Sequence, residues 1–245
     1  MLRSPSPQTC RAHSVCRMLL THLGHSCLLV DVDGTRILID PGSFSDVEGV
    51  RDLSAILVTH THPDHLNPPA IPALLRDNPK AELWLESEAG DRLKGSERQL
   101  ANSIQRMQSG QALTFGAVTV TPVGQQHALI HDQVPQPDNL GLIVTSVSTT
   151  AETNPTLFHP GDALDAEHPL LDDLDVLCVP INAPWASVAD TLAFVQRLAP
   201  KRVVAIHDGL LNDAGRQMYI GHIEKFGASG GMTVLDLKGQ GSTAL

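Results

Sequence analysis

The sequence has few cysteines, and none of them are spaced as a metal or redox pair. The four residues Cys10, Cys16, Cys27 and Cys178 form no CxxC motif and are too few to cross-link a chain of 245 residues. Cys27 and Cys178 lie inside apolar runs, which predicts buried free thiols. This usage fits a reducing compartment, so we expect a cytoplasmic protein.

Long apolar runs and an excess of positive charge are also missing. No apolar run approaches the ~18 residues that a membrane span needs, so no membrane partner is expected. The chain has 17 Lys and Arg against 27 Asp and Glu, which gives a formal net charge of −10. Because sequence-independent nucleic-acid binding depends on clustered cations, this balance disfavours nucleic acid as a partner.

Aromatic residues are scarce, whereas histidine is abundant. Phe, Trp and Tyr make up 3% of the chain, and there are 12 histidines. Histidine is the commonest metal ligand and also carries protons near neutral pH, so this excess suggests a metal or proton-transfer site. The hydrophobic share of 42% and the charged share of 18% are ordinary for a globular protein and exclude disorder of the whole chain.

The chain is predicted to form one domain after a short extension. Residues 1–17 are basic and rich in Ser and Pro, and they lack the apolar segment of a signal peptide. We predict a flexible N-terminal extension there, which a start codon assigned too early would also explain. No low-complexity linker divides the rest, so residues 18–245 are predicted to be a single domain.

Within that domain, short β-like runs alternate with turns. Strands are predicted over Leu19–His22, Cys27–Val32, Arg36–Ile39, Ala55–Thr59, Glu82–Glu86, Ala112–Phe115, Val118–Val123, Leu140–Thr145, Thr156–Phe158, Val176–Val179, Arg202–Ile206 and Met232–Leu237. Helices are predicted over Pro68–Arg76, Val188–Leu198 and Asp213–Phe226, with a surface helix and loops over Glu88–Met107. Strand-rich blocks followed by βα units in each half indicate two sheets packed face to face, with helices outside.

The densest polar segment is Thr59-His60-Thr61-His62-Pro63-Asp64-His65, directly after the predicted buried strand Ala55–Thr59. His60 and His62 are two residues apart, so they can point the same way from an extended backbone. Asp64 and His65 lie beyond the bend that Pro63 imposes, so they can point at a second position. Three imidazoles and a carboxylate suit a divalent cation better than a protein core. A solvated polar loop is the alternative.

Three distant residues are candidates to complete such a site. His127 follows the strand Val118–Val123, Asp162 follows Thr156–Phe158, and His207 ends Arg202–Ile206. A two-sheet sandwich would gather these strand ends at one edge. Each residue alone is more often structural, but together with the histidine cluster they are predicted metal ligands.

The series HxHxDH, a lone His, Gly-Asp and a strand-terminal His resembles the motifs of the metallo-β-lactamase superfamily. The resemblance extends from Leu19 to Leu237 and includes the opening GHSCLLVDVDGTRILIDPG. It implies a four-layer αββα sandwich, an α/β (α+β) fold. Gly24-His25 and Asp40-Pro41 are similar to the branch of small metal-dependent hydrolases that includes the L-ascorbate-6-phosphate lactonase.

The resemblance also implies a site for two divalent metal ions. The implied ligands are His60, His62 and His127 for one ion, Asp64, His65 and His207 for the other, and Asp162 as the bridge. These nitrogen and oxygen ligands suit zinc and are compatible with manganese or iron. Asp40 is implied to orient a ligand imidazole by accepting its other N–H.

Such a site implies hydrolysis. Two dications that share a water lower its pKa toward about 7, and the resulting hydroxide attacks a carbonyl or phosphorus atom. Asp64 would orient this nucleophile and pass a proton to the leaving group. His25 is a candidate to bind substrate or stabilise an oxyanion, with a structural histidine in a tight turn as the alternative. His131 and Trp185 are candidates to line the substrate pocket.

The same resemblance allows a comparison with the activities of other branches of the superfamily. β-Lactam hydrolases of the commonest type have Cys where this chain has Asp162, flavodiiron oxygen reductases have Glu at the position of His62, and the RNA-cleaving branches have an inserted domain or arm that this chain lacks. The leading prediction is a metal-dependent hydrolase of a small ester, lactone or phosphodiester. A mononuclear-iron oxidative enzyme, such as a sulfur dioxygenase, and a non-catalytic metal-stabilised binding module remain alternatives. A homo-oligomer is possible.

Overall fold

The structure is a computed structural model that describes residues 18–147, 155–227 and 231–245. The predicted extension over residues 1–17, with Cys10 and Cys16, lies outside the described residues and stays a prediction. In chain order the strands are β1 (Met18–His22), β2 (Leu28–Val32), β3 (Thr35–Ile39), β4 (Ala55–Val58), β5 (Glu82–Leu85), β6 (Ile104–Arg106), β7 (Leu113–Phe115), β8 (Val118–Val123), β9 (Gly141–Ser146), β10 (Thr156–His159), β11 (Val176–Pro180), β12 (Arg202–Ile206), β13 (Thr233–Leu235) and β14 (Thr243–Ala244). The α-helices are α1 (Ile71–Asp77), α2 (Ser87–Ser96), α3 (Val188–Leu198) and α4 (Asp213–Phe226).

The strands form two mixed sheets of similar design. The first has the order β14-β1-β2-β3-β4-β5-β6, and the second has the order β13-β12-β11-β10-β9-β8-β7. Pairing is antiparallel from β14 to β3 and parallel from β3 to β6. In the second sheet it is antiparallel from β7 to β10 and parallel from β10 to β13. Apart from β14, which comes from the C-terminal end and pairs with β1, each half contributes one sheet, as the sequence pattern predicted.

The two sheets pack face to face through one apolar core. Inward side chains of the first sheet, such as Leu20, Val30 and Leu57, share this core with Val144 and Val204 of the second. Separate clusters join the outer face of each sheet to its helices, α1 and α2 on one side and α3 and α4 on the other. Each fully buried Leu, Ile or Val contributes about 1.5–3 kcal/mol to folding. The predicted four-layer sandwich is confirmed.

Local signals explain the ends of several elements. Asp33 and Gly34 both have positive φ, at 51° and 81°, and they form the two-residue hairpin turn between β2 and β3. Helix α3 begins with a capping box, in which the Ser187 side chain accepts from the backbone of Asp190 and the Asp190 side chain accepts in return. Cys27 and Cys178 are buried and free, as predicted, and burial raises the pKa of both thiols.

The sequence missed two edge strands. The segment Glu88–Met107 was expected to be surface helix with loops, but after α2 it turns and pairs as β6 against β5. Both β6 and β14 are three residues or shorter, so their alternation is too brief to stand out. Each strand that the sequence predicted begins and ends within two residues of the observed strand. No helix within the described ranges is long and apolar enough to cross a membrane.

Candidate metal centre

The polar cluster lies at one edge of the sandwich, just past the ends of several strands. His60 follows β4, His127 follows β8, Asp162 follows β10 and His207 follows β12. Backbone bonds fold the segment after His60 into a tight turn, in which His65 N and Leu66 N both donate to His62 O at 3.1 and 2.9 Å. The structure therefore gathers residues that are far apart in the chain.

The gathered side chains form two groups that could each hold a metal ion. The ligand atoms of His60, His62, His127 and Asp162 all lie within 4.8 Å of one another. The same holds for the ligand atoms of His25, Asp64, His65 and His207. Apart from His25, these are the residues that the sequence predicted as ligands.

The Asp162 carboxylate lies between the two groups. Its Oδ1 is 3.0 Å from His65 Nε2, and its Oδ2 is 3.2 Å from both His127 Nε2 and His207 Nε2. Asn139 helps to fix it, because the Asp162 backbone N–H donates to Asn139 Oδ1 at 3.0 Å. Burial alone would raise the pKa of Asp162, but the neighbouring His65 and His207 side chains outweigh it and hold the pKa well below its usual range.

The outer nitrogens of four buried histidines fix the tautomer of each ring. Nδ1–H donates to Thr59 Oγ1 in His60, to Asp40 Oδ2 in His65, to the Ala128 carbonyl in His127 and to the Asn182 carbonyl in His207. Thr59 Oγ1 can accept from His60 because its own hydrogen goes to Asp40 Oδ2, 2.7 Å away. In the neutral form of each ring, Nε2 thereby faces inward with a free lone pair, the usual arrangement of metal-binding imidazoles.

This donor set fits divalent cations. His60 Nε2 is buried and has no hydrogen-bond partner among the described residues. The Nε2 lone pairs of His127 and His207 face the Asp162 carboxylate across 3.2 Å, acceptor against acceptor. A cation between such groups removes the repulsion. Burial, reinforced by the charge of His65, keeps the pKa of His60 well below its usual range, so His60 is a neutral donor.

Asp40 anchors the cluster from behind. It is fully buried, and its carboxylate accepts from the Thr59 backbone N–H at 2.8 Å and from His65 Nδ1 at 2.7 Å. Burial alone would lower the pKa of His65, but the charges of Asp162 and Asp40 outweigh it and raise the pKa well above its usual range. Asp40 thus occupies the position that the sequence predicted, against the imidazole of the candidate ligand His65.

His25 has the opposite tautomer from these four. The Gly209 backbone N–H donates to His25 Nδ1 at 3.0 Å, so the proton of the neutral ring must be on Nε2. That proton points at Asp64 Oδ2, 3.1 Å away. Burial lowers the pKa of His25, which favours the neutral ring. With both nitrogens engaged and only 1% of the residue exposed, His25 contacts Asp64 rather than open space for a substrate.

A family model described as "Beta-lactamase superfamily domain" matches residues 19–207. The chain belongs to this superfamily. Protein Rv0786c of Mycobacterium tuberculosis is 38% identical over 207 residues, which cover 84% of this chain and 91% of that protein. A UPF0173 metal-dependent hydrolase of Methylobacterium nodulans is 27% identical, over 78% of this chain and 85% of that protein.

Solved structures of metallo-hydrolases have the same architecture. Igni18, described as a novel metallo hydrolase from Ignicoccus hospitalis, superposes with a TM-score of 0.65 at 18% identity and covers 94% of this chain and 98% of that one. At that identity the likeness supports the fold alone. Together with the metal-dependent hydrolases among the sequence relatives, it agrees with the predicted enzyme class, a metal-dependent hydrolase of the metallo-β-lactamase fold.

Of the two residues predicted to line the substrate pocket, Trp185 contacts the cluster and His131 does not. Trp185 lies at the cluster, where its Nε1–H donates to Asp162 Oδ2 at 2.9 Å and its ring centroid is 5.7 Å from that of His127. His131 is exposed on the loop after His127, and its Nδ1 accepts from the Gln133 backbone. No contact between His131 and the cluster is found in the described part of the chain.

Sequence reasoning missed two residues that position candidate ligands. Asn139 accepts from Asp162 N and donates to the Pro160 carbonyl, and Thr59 links His60 to Asp40. Both are buried. Thr59 is part of the quoted THTHPDH segment, so its place next to His60 was a usable signal. Asn139 is one of several polar residues in a long loop, and nothing in the sequence marks it.

Proposed function

We propose that this protein is a hydrolase with a dinuclear metal site, acting on a small ester, lactone or phosphodiester. One observation carries the proposal: a buried carboxylate, Asp162, separates two groups of inward-facing donors, each with the geometry for one cation. In this proposal His60, His62 and His127 hold one ion, and Asp64, His65 and His207 hold the other. Nitrogen and oxygen ligands favour zinc, with manganese or iron as alternatives.

The chemistry requires a nucleophile, charge stabilisation and proton transfer. When bound, a pair of divalent cations lowers the pKa of water and stabilises negative charge that develops on the attacked group. Asp64 has 24% of its side chain exposed, so it faces the side from which substrate arrives. Burial alone would raise the pKa of Asp64, but the His25 hydrogen bond and the charge of His65 lower it to about 2. The ionised carboxylate can orient the nucleophile and receive its proton.

The lactone part of the proposal rests on the sequence. Gly24-His25 and Asp40-Pro41 resemble the branch that contains the L-ascorbate-6-phosphate lactonase. The contacts of both segments support a role at the site, because His25 bonds Asp64 and Asp40 bonds His65. These contacts are equally compatible with ester or phosphodiester hydrolysis.

The proposal predicts two metal ions per chain and metal-dependent hydrolysis. Metal content is measured by ICP mass spectrometry, and activity with a panel of esters, lactones and bis(p-nitrophenyl) phosphate. His62→Ala should lower kcat/KM more than about 100-fold, because losing even an outer partner of a ligand costs 10–100-fold. The matched control is His222→Ala, a half-buried histidine on α4 whose Nδ1 donates to the Met218 carbonyl.

Three results would contradict this function. One equivalent of iron with thiol-dependent oxygen uptake would indicate the oxidative enzyme. A loss of thermal stability with EDTA but no turnover on any substrate would indicate a metal-stabilised binding module. Full activity in His62→Ala would remove the site itself from the mechanism.

His25 is proposed to act through Asp64. Because its Nε2–H donates to Asp64 Oδ2, it holds the carboxylate in one rotamer. His25→Phe removes the donor and should lower kcat about 10–100-fold with little change in KM, whereas His25→Gln can still donate and should recover part of the loss. Metal content is measured in both variants. Loss of one metal ion in both would make His25 a ligand instead, and equal kcat losses would leave it only a structural role.

A further inference from the structure

The loops that border the cluster contain no Lys or Arg. These loops, here called the site loops, are residues 41–50, 61–67, 124–139, 160–166, 181–187 and 207–212. They are tied to the centre by direct bonds, such as Ser43 N to the Pro63 carbonyl, Trp185 Nε1 to Asp162 and Gly209 N to His25. All 17 Lys and Arg lie elsewhere in the chain, while the site loops include Asp46, Glu48 and other acidic residues.

The site loops instead expose large apolar side chains. Phe44, Leu129, Val134 and Leu210 have exposed fractions of 45%, 53%, 39% and 60%. The Phe44 ring lies 5.1 Å from the His25 ring, centroid to centroid. The Phe44 side chain also packs against Gly209: a Cβ added at Gly209 would lie 3.1 Å from the Cβ of Phe44. Phe44 therefore lies beside the Gly209-Leu210 turn. Phe44 and Leu210 thus form an apolar border on the side of Asp64 and His207.

Four arginines outside the site loops bond to them, and each does so through an acceptor within the protein. Arg51 donates to the Val50 carbonyl, Arg197 to the Leu164 and Ala166 carbonyls, and Arg216 to the buried Asp208 carboxylate. Arg92 of α2 is exposed, and its Nη1 donates to the Thr61 carbonyl at 3.0 Å. That bond occupies the guanidinium with a backbone acceptor. Recognition of a phosphate or carboxylate by proteins typically uses bidentate Arg or clustered cations. Arginines that are each already bonded to a backbone carbonyl or to the buried Asp208 do not supply this.

Building on the proposed function, we propose that the substrate is an uncharged carboxylic ester or lactone with an apolar chain, rather than a phosphate ester or an anionic lactone. In the reaction water adds to the carbonyl carbon and the bond from that carbon to the alcohol oxygen breaks. The alcohol leaves with one proton from water, and the acyl product retains the water oxygen. The apolar chain lies against Phe44 and Leu210, where its burial is favourable and no charge must be desolvated.

The test compares substrates of increasing apolar length with charged ones. The metal-loaded protein is assayed with p-nitrophenyl acetate, p-nitrophenyl hexanoate, p-nitrophenyl phosphate and bis(p-nitrophenyl) phosphate. We expect kcat/KM for the hexanoate to exceed that for the acetate at least about tenfold, since one methylene in an apolar site can contribute that much. Phe44→Ser and Leu210→Ser should each reduce this hexanoate preference about threefold or more. The matched control is Phe226→Ser, an equally exposed phenylalanine at the far end of α4, about 20 Å along the helix, which should retain the preference.

The failure of this inference is distinct from the failure of the proposed function. Higher kcat/KM for the phosphate substrates, above all if Arg92→Ala abolished it, would overturn the substrate class and leave the metal-dependent hydrolase intact. No preference between hexanoate and acetate, or an equal effect of Phe226→Ser, would overturn the role of the apolar border. Absence of turnover on every substrate by protein with two metal ions would instead count against the proposed function.

Discussion

Asp162→Asn should abolish the paired metal site and lower kcat/KM by more than about 1,000-fold. The carboxylate is within 3.2 Å of ligand atoms from both groups, so its charge is the contact that the two proposed ions share. An asparagine of the same shape has one acceptor oxygen and an NH2 that cannot bind a cation. Removing one preorganised electrostatic partner from a catalytic site commonly costs 10²–10³-fold, and here two ions depend on it.

The Asp162→Asn experiment has readouts besides turnover. Metal per chain after equilibrium dialysis should fall below two, and the gain in thermal stability that zinc gives to the parent protein should shrink, because a ligand that binds only the folded state stabilises it by mass action. Asp165→Asn is the control, since Asp165 is exposed on the same loop and changes in the same way. Two metal ions and near-normal kcat/KM in Asp162→Asn would show that Asp162 is not the bridge.

The sequence predicts where this polar cluster forms because its candidate ligands stand at strand ends. Apolar runs such as Ala55–Val58 identify buried strands, and the polar residue that follows each run must emerge at the edge of the sheet. His60, Asp162 and His207 all obey that rule. Similar reasoning gives the two sheets and their outer helices, since alternation and helical periodicity act over short distances in the chain.

The supporting contacts were harder to predict because they join distant segments. Gly209 N–H determines the tautomer of His25 from 184 residues away, and Asn139 orients Asp162 from 23 residues away. No local pattern encodes such a pairing. His25 illustrates the consequence: the sequence suggested contact with substrate, whereas its two nitrogens bond Gly209 and Asp64. The position of a residue just after a strand predicts that its side chain lies at the edge of the sheet. It does not predict which polar atoms of that side chain are left without a hydrogen-bond partner.

The backbone at Gly42 packs closely against the turn of residues 62–66, and disturbing this contact should cause the largest loss of stability. Gly42 follows Asp40-Pro41 and lies against the backbone of the turn that carries Asp64 and His65. A Cβ at Gly42 would lie 1.8 Å from the Asp64 carbonyl oxygen, 2.0 Å from the Asp64 carbonyl carbon and 2.6 Å from His65 N. These are backbone atoms, so no rotamer change can relieve the overlap, and the two segments must separate.

Gly42→Ala should therefore lower the free energy of unfolding by more than about 4 kcal/mol, a loss that few single substitutions cause. The same separation would displace Asp64 and His65 from their partners, so metal binding should fall together with stability. Gly95→Ala is the matched control: a Cβ at this exposed position in α2 meets nothing within 4 Å, and alanine should stabilise the helix by up to about 1 kcal/mol. Soluble yield and urea midpoints measure both variants. Equal urea midpoints for the two variants would mean that Gly42 does not pack closely against the turn of residues 62–66. The positions of Asp64 and His65 would then depend on other contacts.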